Sequence, residues 1–92
     1  MELYFAQKVQ QALEALCEDK SLKDRLRTAS VHLSVVDSAH FTDSASENVK
    51  KAFRSFMDSD LQKQPDVAAQ RLWHLIWAAA KERGREESLV NP

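Results

Sequence analysis

The chain has almost none of the residues that turn a backbone sharply. One Gly and two Pro in 92 residues are too few for the many tight turns of a small all-β fold. A single Cys excludes an internal disulfide framework and a multi-cysteine zinc site. Neither sign of charge predominates. The 13 Lys and Arg face 14 Asp and Glu, for a net charge of -1, which argues against a general polyanion binder and against an acidic mimic of nucleic acid. The longest apolar run, Leu75 to Ala80, is six residues, whereas a membrane span needs about 20. The N-terminal stretch Met1-Glu2-Leu3-Tyr4-Phe5 carries an acid where a secretory leader has Lys or Arg, and Gln7, Lys8, Gln10 and Gln11 interrupt the apolar positions after it. With one Cys and no leader, a soluble protein of the reducing cytoplasm is expected. Gly-rich phosphate loops, His-Glu-x-x-His and Gly-x-Ser-x-Gly are all missing.

What is present is apolar residues at helical spacing. The hydrophobic fraction is 43%, enough for one core, and the length suits one domain. From about Glu2 to Glu18, Phe5, Ala6, Val9, Ala12, Leu13, Leu16 and Cys17 share a face, which predicts an amphipathic helix. A second helix is predicted from about Leu22 to His40. Ser21 caps it with Asp24 three residues on, and Leu22, Leu26, Ala29, Leu33, Val36 and His40 form its seam. Ser44-x-x-Glu47 is a capping box for a third helix over 45–59, with a stripe of Ala45, Val49, Ala52, Phe53, Phe56 and Met57. Pro65 suits the first turn of a fourth helix over 66–83, and Gly84 reads as its stop, with 85–92 as a flexible tail. About three quarters of the chain is then helical, far above the usual share. Short connections favour a compact up-down four-helix bundle over 1–84, with homodimerisation as a way to complete a thin core.

Two helices have more apolar surface than one core uses. On the fourth, Ala68, Leu72, Leu75, Ile76 and Ala79 make one stripe, and Ala69, Trp73, Trp77 and Ala80 widen it to roughly 200°, against about 100° for a surface helix. On the second, Val31 and Val35 lie opposite the seam. Either these two helices are the inner pair of the bundle or their edges meet a partner. Trp is enriched at interface hot spots, so Val31, Val35, Trp73 and Trp77 are the candidate protein interface.

Candidates for chemistry are weak. Cys17 lies on the core stripe and reads as a small buried hydrophobe. Asp37 and His40 are three apart and could share a metal, but no further ligand motif accompanies them, so no metal site is expected and His40 reads as a residue closing its helix. No cofactor is expected. His32 and His74 fall on polar or boundary faces. The expected function is binding to another protein without catalysis, as a regulator, inhibitor, immunity-type factor or assembly chaperone, with a homodimer as the expected state. The alternative is a DNA-binding regulator using helix 45–59, whose outer side carries Asn48, Lys50, Lys51 and Arg54, although Glu47 and Asp58 share that surface. A bundle-type enzyme comes third.

Overall fold

A computed structural model describes residues 3–36 and 47–90, with side chains as far as Gly84. Four helices account for the described regular structure: α1 Leu3–Leu16, α2 Leu22–Ser34, α3 Glu47–Met57 and α4 Pro65–Val90. They form an all-α four-helix bundle of 43 × 25 × 19 Å. α1 packs most closely on α2 and α3 on α4, so the bundle is two helical hairpins face to face. α4 also touches α1 and α2, which makes it the inner helix.

Local chemistry sets the joints. Ser21 Oγ accepts the Asp24 amide at 3.2 Å, the cap expected from sequence. Ser21→Ala should cost about 1 kcal/mol by leaving that donor unpaired, read as a shift in the urea midpoint with unchanged slope. Arg25, in the first turn of α2, donates Nη1 to the Leu16 carbonyl at 3.0 Å and so closes the end of α1 onto α2. Between α3 and α4, the Asp60 carboxylate accepts the amides of Gln62 and Lys63 at 3.0 and 2.9 Å, a side-chain turn of the kind Asp favours. Arg71 then donates to the Ser55 carbonyl and to Ser59 Oγ, at 3.3 and 3.2 Å, tying α4 back to α3.

The core contains Phe5, Val9, Ala12 and Leu16 from α1, Leu26, Ala29 and Leu33 from α2, and Val36 just beyond it. From the second hairpin come Val49, Ala52, Phe53 and Phe56, then Ala68, Leu72, Leu75, Ile76 and Ala79. The stripes of α2, α3 and α4 are those expected, as far as the described residues reach. The hairpins meet where the Phe5 and Phe53 rings stand edge to face, centroids 5.9 Å apart and planes at 80°. Small Ala12 and Ala15 on α1, and Ala29 on α2, are buried within this core.

Three expectations are corrected. Cys17 is exposed, not buried. α1 ends at Leu16, and its buried face turns toward Ala15, which carries Cys17 off the stripe. α2 ends at Ser34 with Val35 as its cap, the Val36 amide bonding back to the Leu33 carbonyl at 3.1 Å, so the helix does not run on to His40. Gly84 does not stop α4, which continues through it to Val90. A glycine ends a helix by taking a positive φ, and no described glycine does so. Asp37, His40, Ser44 and Ala45 lie outside the described residues.

Candidate protein-binding surface

The buried residues of α4 are centred on Ala68, Leu72, Leu75 and Ala79. At 100° per residue, Trp73 lies roughly 130° and Trp77 roughly 170° around the helix from the middle of that stripe. The structure leaves them 54% and 60% exposed. The same arithmetic puts Val31 and Val35 roughly 170° and 150° from the α2 seam, and they are 62% and 48% exposed. No rotation of either helix within the bundle could bury these edges without exposing the core. The two readings of α4 thus separate. It is the inner helix, touching all three others, and its Trp edge remains in solvent.

Around Trp77 the surface is built in part. The Lys81 ammonium sits 4.6 Å from the centroid of the indole, a cation–π contact on one ring face. The i,i+4 spacing of α4 holds both groups on one side. Ala69 is half-buried beside Trp73, while Ala80 and Gly84 are exposed further along. α1 repeats the device on a smaller scale, with Lys8 Nζ 5.4 Å from the Tyr4 ring centroid. Leu3 and Tyr4 are themselves exposed. Periodicity does not single out this second apolar spot, because the α1 stripe begins at Phe5, although the run Leu3-Tyr4-Phe5 is a visible surplus at a helix start.

Among the described residues, chemistry-bearing groups are not gathered elsewhere. Among the described residues, no three His, Cys, Asp or Glu side chains are placed to hold a metal. His32 is half-buried on α2 and His74 is exposed on α4. A hollow on the outer side of α1 is lined by Gln7, Gln10, Gln11 and Glu14 and holds a single ionisable group. On the outer face of α3, Lys50 pairs with Glu47 at 3.5 Å, so one of its cations is already matched. No described helix is long and apolar enough to cross a membrane. No protein-family model, curated protein or solved structure matches this chain.

Proposed function

We propose that this chain acts by binding protein, through the Trp73/Trp77 edge of α4, and that it carries out no catalysis of its own. The observation that carries the reading is the exposure of two indoles on the side of α4 opposite its core. Scattered apolar residues on a surface need no explanation, but paired aromatics on one ridge mark an interaction site. Val31 and Val35 on α2 offer a second apolar contact. A regulator, an inhibitor or an assembly factor works in this way. The cytoplasm is the proposed location, because an exposed thiol such as Cys17 stays free in a reducing compartment and invites intermolecular bridging in an oxidising one.

The test is retention of partners from cell extract by the wild type and by a Trp73→Ala/Trp77→Ala variant. Substitutions at exposed sites typically change stability by about 0.5 kcal/mol or less, so the variant should keep its helicity and lose the retained protein. Equal retention by both chains would remove this edge as the binding surface.

A further inference from the structure

The Trp ridge and the residues beyond it on α4 differ in size in an ordered way. Trp73 and Trp77 stand four residues apart. Ala80 and Gly84 also stand four residues apart, are exposed, and continue the same side of the helix. Gly84 is the unusual member. Glycine is a poor choice inside a helix, since only Pro is worse, and here α4 runs straight through it. Its conformational freedom is unused, because its φ is not positive. Its lack of a side chain is unused among the described residues as well, because a Cβ there would meet none of them within 4 Å. Close approach by another molecule is a use that a residue without a side chain would serve here.

We propose that the occupant of the Trp edge is the α4 helix of a second copy of this chain, lying antiparallel about a two-fold axis that passes between residues 78 and 79. This rests on the reading of the edge as a protein-binding surface. About that axis Trp77 falls over the partner's Ala80, and Trp73 over the partner's Gly84. The equal spacings let both contacts form together, and the symmetry repeats them on the other side. Each copy therefore supplies the large residues and the space that receives them, as a two-fold interface between identical chains requires. Antiparallel helices also set their macrodipoles head to tail. Lys81 stays at the margin of the ridge, its ammonium over one face of the Trp77 indole.

The two indoles alone do not make a standard interface. A Trp side chain carries up to about 250 Å², so at 54% and 60% exposure the two indoles offer roughly 280 Å². A standard interface buries about 800 Å² per partner. Ala69, Ala80, Gly84 and the Lys81 stem add to the indoles, and the pairing stays a small interface. Area does not fix affinity, so a pairing of this size is tested at a high concentration, about 100 µM.

Sedimentation equilibrium at that concentration, under reducing conditions so that Cys17 cannot bridge copies, tests the pairing with four chains. Wild type should be dimeric and Trp77→Glu monomeric. Gly84→Leu should raise the dissociation constant at least about tenfold, because a side chain now fills the space that Trp73 enters. Its helicity by circular dichroism should hold or rise, since Leu is the better helix former. Trp73→Ala/Gly84→Leu should recover part of that loss, as the new Leu occupies the volume the indole gave up. A monomeric wild type would overturn the second copy as occupant, and the Trp edge would then belong to a different protein. A dimer broken by Trp77→Glu but indifferent to Gly84→Leu would overturn the antiparallel register alone. A dimer indifferent to both would overturn the pairing and, with it, the Trp edge as the contact between copies.

Discussion

Replacing Phe5 with Ala is expected to remove about 3–5 kcal/mol of stability. The ring is fully buried, so the loss includes both its transfer from water and the cavity it leaves. It is also half of the Phe5–Phe53 pair, and an edge-to-face contact is worth about 0.5–1.5 kcal/mol beyond its area. The setting raises the stakes further. Marginal stability of roughly 0.05–0.15 kcal/mol per residue gives a chain of this length about 5–14 kcal/mol in all. The variant should therefore lose roughly a fifth of its stability at least, and at the low end of that range more than half of it. Urea unfolding followed by far-ultraviolet circular dichroism reads the effect directly. A loss under about 1 kcal/mol would mean that the hairpins are not joined at this ring.

Leu33→Ala should cost about 2–5 kcal/mol, and the neighbouring Val31→Ala and Val35→Ala about 0.5 kcal/mol or less at concentrations where the chain is monomeric. All three side chains are branched hydrocarbons at the C-terminal end of α2. They differ in that Leu33 is fully buried while the two valines stand in solvent. The comparison therefore isolates burial from composition. Midpoints of equal size for Leu33→Ala and Val35→Ala would contradict the orientation of α2. A selective loss at Val35 on raising the protein concentration would mean that its edge is covered by association.

Much of this architecture is legible in the sequence, and the misses have physical causes. The seams of α2 and α3 are dense enough that helical periodicity alone orients them, and Ser21 and Pro65 fix two helix starts by their own chemistry. On α1, Ala6, Leu13 and Cys17 widen the expected stripe on one side, whereas the buried face extends to Ala15 on the other. α2, held by Arg25 at the Leu16 carbonyl, packs on this helix. Gly84 misleads because a glycine stops a helix only if the chain turns there, and nothing in the sequence shows that it does not. The candidate surface is legible as a surplus of apolar residues. Its orientation is not, because a 200° arc can be read as a wide core stripe or as two opposite faces. The structure resolves that ambiguity through the exposure of Trp73 and Trp77.

The pairing of helices adjacent in sequence also bears on how fast the chain reaches its native state. α1 closes on α2 and α3 on α4 across short loops, so most of the native contacts join residues near each other along the chain. Such low contact order belongs to domains that fold in microseconds to milliseconds. Little loop-closure entropy is spent before contacts begin to form. The step that spans distance is the docking of one hairpin on the other, with the ring of Phe5 meeting that of Phe53. A chain built this way exposes its core-facing helix faces only briefly after synthesis, and what it leaves for association once the fold is complete is the Trp edge of α4.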